Sequence, residues 1–406
     1  MEVTNDFSIL EEKAPYMSLS LNNFTEEKYS IVDHVNKALD RIKSTTIKDT
    51  NLPKYGGGDW NDTLQPANQE LTERMVSAWT VSLLHEALTK LSAILPNKYQ
   101  QLKNKIIDFN DKLKADYLKY LVKDNIPTGF TIFEEKTIRY LLHPSDTTTN
   151  LNYRLLSFNQ GLTSELLSTE QIPNYLNILD KNLKHPDGMR LMDKAIKYQG
   201  GKTTYFQRAE TAANFGREVG IHYIHAHIRY IEAMAKIGYG SRALEGLLVI
   251  NPINIKNNVK NALPRQSNTY FSSSDGDFLN RYDAQENFDK LRNGSIGVKA
   301  GWRLYSSGPG IYLNQLVSNV LGIKIYDQNL IIDPVLSEEF NNTVVKYHYL
   351  NKPLEIKYIK SNENKLLLNG KEYKNARLSE KYRDGGLIID KEILKPLDKI
   401  KIEYHF

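Results

Sequence analysis

The residues best suited to chemistry form one stretch, Tyr55-Gly56-Gly57-Gly58-Asp59-Trp60-Asn61-Asp62-Thr63-Leu64-Gln65-Pro66. Its glycines allow positive φ angles and close approach to another group. The indole of Trp60 can stack on the CH face of a sugar ring, and a carboxylic acid beside an apolar ring can hold its proton near neutral pH and give it to a leaving oxygen. The stretch therefore has the parts of a sugar-processing site. The same residues also suit a glycine-rich turn in which Asp59 or Asp62 caps a helix.

A second set of candidate groups lies on a helix predicted over Thr211 to Ile237. One face of this helix repeats apolar residues at helical spacing and should be core: Ile221, Ile224, Ile228, Ile231 and Ala235. Another face carries His222, His225 and Arg229, three potential cationic donors within two turns. Together they form a plausible anion site, although any one of them alone is more often a solvated or cap-bonded side chain.

Two polar loops complete the candidate site. The first contains Gln266 and Tyr270 among hydroxyls, amides and charges that are costly to bury unless paired, so it lines solvent or a polar cleft, and we assign these two residues to substrate binding. The second, Gly301 to Gly310, contains Arg303, Ser306 and Ser307. Its small residues expose N–H groups and hydroxyls that can cradle an oxyanion at the start of a helix, although an ordinary turn has the same composition.

Composition excludes several classes of function. The chain has 406 residues, enough for two domains, and no cysteine, so disulfides, thiolate catalysis and cysteine-ligated metals are ruled out. The net charge of +5 comes with no concentrated basic tract, which argues against nucleic-acid binding. The first ten residues contain acids and no apolar segment, and no apolar run approaches the length of a membrane span. We therefore expect a cytoplasmic protein.

The elements that must position these groups change in type along the chain. Apolar periodicity predicts helices over Glu27–Ile42, Leu71–Leu91, Tyr99–Leu121, Ile172–Leu183 and Ile311–Leu321, with a short β-like region from Ile126 to Leu142. From Gly322 onward, alternating runs predict strands at Lys324–Ile332, Thr343–Leu350, Leu354–Ile359, Lys365–Leu368 and Lys399–Tyr404, with Asn369-Gly370 as a hairpin turn. The sequence therefore predicts a mainly α region, 1–321, followed by an all-β domain, 322–406.

The motif Gly-Gly-Gly-Asp-Trp-Asn-Asp resembles the acid motif of glycoside hydrolase family 94, the inverting phosphorylases of β-linked gluco-oligosaccharides. The resemblance implies that Asp62 is the general acid and that Trp60 and Asp59 are substrate-binding, with Asp59 more concerned with fixing the loop. The continuation Thr63-Leu64-Gln65-Pro66 is more similar to family members acting on β-1,2-oligoglucans than to the cellobiose phosphorylases.

Two further segments appear in family order. The run from Tyr223 to Tyr230 is similar to the family's helix with a phosphate-binding histidine, which falls on His225. The family's second phosphate-binding element falls on Ser306 and Ser307, with Arg303 in support; other members often have Thr-Gly there, so this chain departs from the pattern. The resemblance implies inorganic phosphate as co-substrate and neither a metal nor another cofactor.

The resemblance also implies a fold, the C-terminal portion of an (α/α)6-barrel catalytic domain followed by a β-sandwich. Members of the family are longer, and the arginine and aspartate cluster that holds their non-reducing-end glucose has no counterpart here. We therefore expect a split or truncated gene, or a second chain or homo-oligomer that completes the barrel. Two alternatives stay open: an inverting glycosidase with Glu210 or Glu218 as base, and a non-catalytic fragment that at most binds sugar.

Overall fold

A computed structural model describes residues 1–18, 20, 22–56, 58–213, 222–263, 273–300 and 307–406. For Asp62, Ser273, Ser274 and Ser307 it describes the backbone alone. Within these ranges no helix combines the length and the apolar character needed to cross a bilayer.

The helices in the described ranges, numbered α1 to α14, are Ile31–Ser44, Gln69–Arg74, Ala78–Ile94, Gln100–Tyr120, Leu155–Thr163, Ile172–Asn182, Gln207–Thr211, Ile224–Lys236, Gly240–Ile250, Ile255–Asn258, Arg281–Asn287, Asp289–Arg292, Ser307–Asn314 and Lys391–Leu394. A π-helical segment, Gln315–Val320, continues α13.

The strands in the same ranges, numbered β1 to β19, are Lys13–Ser18, Asn23–Ser30, Met75–Ser77, Val122–Lys123, Ile126–Pro127, Phe130–Phe133, Ile138–Leu141, Lys184–His185, Gly188–Met189, His222–Tyr223, Ser273–Ser274, Ile323–Tyr326, Asn329–Ile332, Val344–Tyr349, Lys352–Ile359, Lys365–Leu368, Lys371–Tyr373, Leu387–Ile389 and Ile400–His405.

Three helices form the framework of the N-terminal part. Helix α5 packs between α3 and α8, while α4 packs against α3 and α9 against α8. The predicted core stripe of α8 is confirmed where it is described, because Ile224, Ile228 and Ile231 have no exposed surface and Ala235 is 2% exposed. A small antiparallel sheet has the strand order β3-β6-β7. Strand β3 directly precedes α3 in the chain, and β6 and β7 lie between α4 and α5.

The C-terminal part contains two sheets around one apolar core. The first has the order β12-β13-β18 and the second the order β14-β15-β19-β16-β17, in which β15 and β19 run parallel. Side chains from both sheets share a single buried cluster. The predicted strands are confirmed with small shifts at their ends, and the run Lys324–Ile332 is two strands joined at Asp327 and Gln328, both with positive φ. Asn369 and Gly370 also have positive φ, as the predicted hairpin turn requires.

The helix predicted over Glu27–Ile42 was wrong at its N-terminal boundary. The helix predicted from Glu27 begins at Ile31, because Ser30 and Asp33 form a capping box at that point. The residues before it form the antiparallel pair of β1 and β2, and β2 takes up Glu27 to Ser30 of the predicted helix.

The helix predicted over Leu71–Leu91 is interrupted. Met75–Ser77 leaves the helix to pair with β6, and the Ser77 side chain then accepts the Thr80 N–H as the N-cap of α3. The prediction failed because Met75 and Trp79 keep the helical spacing of apolar residues across a break that long-range pairing imposes.

Candidate active site

The acid loop, residues 55–66, is fixed by its own polar side chains. Asp59 Oδ1 accepts the Asn61 N–H at 2.8 Å, and Asn61 Oδ1 accepts the Thr63 N–H at 3.2 Å. Asp62 then begins a 3-10 turn, Asp62–Leu64. Each of these side-chain oxygens accepts the backbone N–H of the residue two positions later, which is the usual way that Asx residues build a turn. The backbone at Asp62 therefore has a defined course, set by its neighbours.

The carboxylate of Asp59 is held by a buried arginine. Arg154 Nη2 lies 2.7 Å from Asp59 Oδ1, and Nη1 lies 3.2 Å from Oδ2. The Ser77 hydroxyl donates to the same carboxylate. Both charged side chains are 0% exposed. A carboxylate so enclosed and so fully paired fixes the loop, and it has no surface on which to receive a hydroxyl from a sugar.

Trp60 joins the acid loop to the helix predicted to bind phosphate. The centroid of its ring lies 5.1 Å from that of His225, with the planes at 85°, and 4.8 Å from that of Tyr223. A second indole, Trp79 on α3, lies 6.4 Å away. Aromatic side chains at these separations prefer such tilted and edge-on arrangements. Two segments that are far apart in sequence therefore meet at one aromatic cluster.

A cleft of about 410 Å³ opens beside this cluster. Its walls are formed by side chains of α3, α5 and α8, and its lining combines two indoles with charged and amide groups: Trp60, Trp79, Leu83, Glu86, Ala87, Lys90, Leu156, Gln160, Thr163, His225, Arg229 and Glu232. Gln160 donates to Glu86, which also pairs with Lys90. Indole faces beside amide and carboxylate groups suit a sugar, which presents both CH and OH surfaces.

His225 lies half-buried in this cleft. Burial, together with the charge of nearby Arg229, lowers the pKa of His225 to about 4. Arg229 itself pairs with Glu232 at 2.7 Å. The imidazole is therefore neutral at pH 7 and presents one N–H donor and one acceptor. An anion bound beside it would favour the charged form and raise this pKa.

The predicted trio on α8 is divided by the structure. His225 and Arg229 line the cleft, but His222 lies in β10, ahead of the helix, and is fully buried with its ring 4.9 Å from that of His227. The helix therefore begins later than predicted, and the three side chains do not share one face.

Several predicted site residues lie outside the described part of the chain: Gln266, Tyr270, Arg303, Ser306 and Glu218. The backbone of Ser307 begins α13, but the side chains of Ser307 and Asp62 are not described. The structure thus brings Trp60, His225 and Arg229 to one cleft, with the backbone of Asp62 directly beyond Trp60 and Asn61.

The base proposed for a glycosidase, Glu210, is already occupied. Its carboxylate accepts the N–H groups of Thr204, Tyr205 and Phe206, and the residue is only 3% exposed. A carboxylate that accepts three backbone N–H groups holds a loop together, and at 3% exposure it has almost no surface from which to position a water molecule.

Sequence reasoning missed the residues that support the loop and widen the cleft. Arg154, Ser77, Trp79, Glu86 and Gln160 belong to no motif, and only Trp79 had a signal, as one of the apolar residues that repeat at helical spacing in the predicted helix Leu71–Leu91. Among the described residues there is no cluster of three or more His, Cys, Asp or Glu side chains that could hold a metal ion.

Comparison with known proteins gives two matches to family models and one relative. Residues 1–271 match the catalytic domain of the glycosyl hydrolase 94 superfamily, and residues 322–405 match a glycoside phosphorylase C-terminal domain. The chain is 46% identical over 398 residues to a 1,2-beta-oligoglucan phosphorylase of Listeria innocua serovar 6a. This alignment covers 97% of the chain and 36% of the relative, so the chain spans about a third of the length of the relative it matches.

Proposed function

Because the chain belongs to the glycosyl hydrolase 94 superfamily, we propose that it acts in the phosphorolysis of β-1,2-linked gluco-oligosaccharides, with Asp62 as general acid. The observation that carries this proposal is the contact between Trp60 and His225, whose ring centroids lie 5.1 Å apart. It joins the loop that would supply the proton to the helix that would bind the phosphate.

In the proposed reaction, the Asp62 carboxylic acid gives its proton to the glycosidic oxygen as the bond from that oxygen to the anomeric carbon breaks. A phosphate oxygen forms the new bond to the same carbon from the opposite face. The configuration inverts, and the products are α-glucose 1-phosphate and an oligosaccharide shortened by one glucose. Phosphate is already anionic, so no carboxylate base is needed.

Phosphate would be held by donors from two segments. His225 would donate an N–H from α8, and Ser306 and Ser307, with Arg303 in support, would donate from the segment at the start of α13. Arg229 lines the same cleft as His225 and pairs there with Glu232, so it offers a guanidinium donor rather than an unpaired positive charge. Directed donors of this kind bind phosphate more specifically than net charge alone does.

The sugar would pack on Trp60 and contact Gln266 and Tyr270. Asp59 would not contact the sugar, since its carboxylate is enclosed by Arg154 and Ser77. It would affect sugar binding only by fixing the acid loop. Phosphate is the only further reactant this scheme requires, and we propose that the reaction needs neither a metal nor an organic cofactor.

We further propose the fold that the family resemblance implied: residues 1–321 form part of an (α/α)6 barrel, and residues 322–406 form a β-sandwich. The consecutive packing of α3, α5 and α8, with α4 and α9 on their other sides, supports the barrel. The single core shared by the two C-terminal sheets supports the sandwich. Cytoplasmic location remains our prediction from the sequence.

A further part of the barrel would complete the site. Leu83 on α3 is 41% exposed and Leu313 on α13 is 55% exposed, and the chain covers only 36% of its relative. Leu83 lines the cleft and α13 packs against α8, and exposed leucines at such positions suit packing against further helices. We propose that these come from another segment or chain, or from a second copy of this one.

The proposal is tested by incubating the protein with sophorose and longer β-1,2-glucans, with and without inorganic phosphate, alone and together with the region of the relative that this chain does not cover. Phosphate-dependent glucose 1-phosphate supports it. Free glucose formed at the same rate without phosphate would favour a glycosidase, and sugar binding without turnover in every mixture would favour a non-catalytic fragment.

A further inference from the structure

The buried pair of Arg154 and Asp59 connects three segments that are distant in sequence. Arg154 and Asp59 are 95 residues apart. The Arg154 guanidinium also lies 4.5 Å from the ring centroid of Phe130 in β6, and its Nη1 lies 3.3 Å from the Ser77 hydroxyl in β3. The planar guanidinium therefore binds both carboxylate oxygens and also lies over an aromatic ring, a combination that lysine cannot reproduce.

The backbone that carries Arg154 is itself tightly held. The Asp193 carboxylate accepts the N–H groups of Asn152 at 2.9 Å and Tyr153 at 3.0 Å. Arg154 pairs with Met192 as an isolated β-bridge, after which α5 begins. The arginine thus projects from a rigid base next to one wall of the cleft, so its head group has a fixed position from which to hold the loop.

Fixing Asp59 also fixes the backbone of the acid. Asp59 Oδ1, which Arg154 holds, accepts the Asn61 N–H, and Asn61 in turn accepts the Thr63 N–H on the far side of Asp62. Asp62 therefore lies inside a short chain of hydrogen bonds whose outer end is Arg154. Catalytic efficiency falls steeply when a reacting group is displaced by about 1 Å. Movement of these hydrogen-bonded residues would therefore displace the proton donor and lower the rate.

We infer that Arg154 is a positioning residue for the general acid, which acts through Asp59 and makes no contact with substrate. The inference rests on the proposed function, since it gives Arg154 its role through Asp62. Ser77 is its partner, because its hydroxyl reaches both Asp59 and Arg154.

The test compares Arg154→Lys with a matched control, Arg242→Lys. Arg242 on α9 makes the same two-pronged bond, with its Nη atoms 2.7 Å from both carboxylate oxygens of Asp180, but it lies outside the cleft. Arg154→Lys should lower kcat for phosphorolysis by about 10²-fold and leave the KM for phosphate nearly unchanged, since the donors to phosphate are untouched. Arg242→Lys should keep the wild-type kcat.

Hydrogen exchange separates positioning from general stability. In Arg154→Lys, amides of residues 58–64 should exchange faster, while those of α4, which lies outside the cleft, keep their wild-type rates. Equal acceleration in both segments would mean that Arg154 merely stabilises the fold, and unchanged kcat with unchanged exchange in residues 58–64 would also overturn the inference. If the wild-type protein forms no glucose 1-phosphate in any mixture, the proposed function fails, and the exchange rates of residues 58–64 still decide whether Arg154 fixes the loop.

Discussion

The His225 ring meets the Trp60 indole edge-on, at 85° and with centroids 5.1 Å apart. This contact sets the spacing between the acid loop and α8. In the proposed reaction the proton donor acts on the oxygen of the scissile bond and the phosphate attacks the carbon at its other end, so this contact bears on the distance between the two groups.

Replacing Trp60 separates sugar binding from chemistry. Trp60→Ala should raise the KM for oligosaccharide by about tenfold, equivalent to ~1.4 kcal/mol, because the ring that packs on the sugar is lost. Trp60→Phe keeps an aromatic face and should have a smaller effect. Steady-state kinetics with saturating phosphate measure both, and a wild-type KM in Trp60→Ala would show that the sugar does not pack on this ring.

The depressed pKa of His225 links stability to pH. Burial, with a contribution from Arg229, lowers it from 6.5 to about 4, so between these values the unfolded chain binds a proton here that the folded chain does not. The stability owed to the neutral imidazole is present above pH 6.5 and is lost as the pH falls toward 4.

Thermal unfolding of His225→Gln tests this linkage. The advantage of the wild type in Tm should shrink between pH 7 and pH 4.5, because the variant has no proton to take up at this position. His348→Gln, at an exposed position in β14, controls for the loss of one imidazole. A difference between wild type and His225→Gln that is the same at every pH would contradict the depressed pKa.

Asp333 connects β12 to the segment that precedes β18 in the C-terminal domain. It accepts both Nη atoms of Arg383 at 2.7 Å, Lys324 Nζ at 2.9 Å and the Gly386 N–H at 2.8 Å. Burial raises the pKa of its carboxyl, but Arg383 and Lys324 outweigh burial and hold the pKa below its ordinary value. Asp333→Asn removes the charged partner of the mostly buried Arg383, which is 14% exposed, and should lower the free energy of unfolding by about 3 kcal/mol.

Urea unfolding measures that loss, with Glu363→Gln as the control. Glu363 pairs with Lys365 at the surface, where such pairs contribute about 0–1 kcal/mol, so its replacement should barely change the urea midpoint. Equal effects of the two substitutions would show that the Asp333 network contributes no more to the free energy of unfolding than a surface pair does.

Gly188 lets the β8–β9 turn approach His222 of β10 and His227 of α8. Its φ is +122°, and a Cβ at this position would lie 2.7 Å from His222 Nε2 and 2.9 Å from the His227 ring. Gly188→Ala should cost about 1–3 kcal/mol through overpacking, with backbone strain in addition. Gly310→Ala is the matched control, since its Cβ would meet no atom of the described residues within 4 Å. Comparable Tm values for the two variants would contradict the close packing at Gly188.

The sequence predicted the individual parts of the site better than their connections. The motif around Trp60 and the helix of His225 were recognisable because they combine unusual residue types with regular spacing. Arg154 was not, because a single arginine after a polar segment has no pattern, and its role depends on a contact across 95 residues. His222 was misplaced for a related reason: its spacing fits a helix, but its backbone pairs with β11 instead.

The same distinction holds for the fold. The strands of the C-terminal domain were predicted closely, since alternating apolar residues face one core. Helix α5 was missed altogether, because all but its last residue are buried and polar side chains such as Asn159 and Gln160 interrupt its apolar pattern. Buried polar groups that are paired through tertiary contacts interrupt the apolar periodicity of a helix that lines a polar cleft, as they do in α5.

The central claim is that phosphate, activated by no base, displaces a glucosyl group as Asp62 protonates the leaving oxygen. Its most direct test is ³¹P and ¹H NMR of the mixture of protein, sophorose and inorganic phosphate that supports turnover. Inverting phosphorolysis predicts α-glucose 1-phosphate as the first product, with none formed by Asp62→Asn although that variant still binds sugar. The β anomer, or an Asp62→Asn variant with full activity, would contradict it.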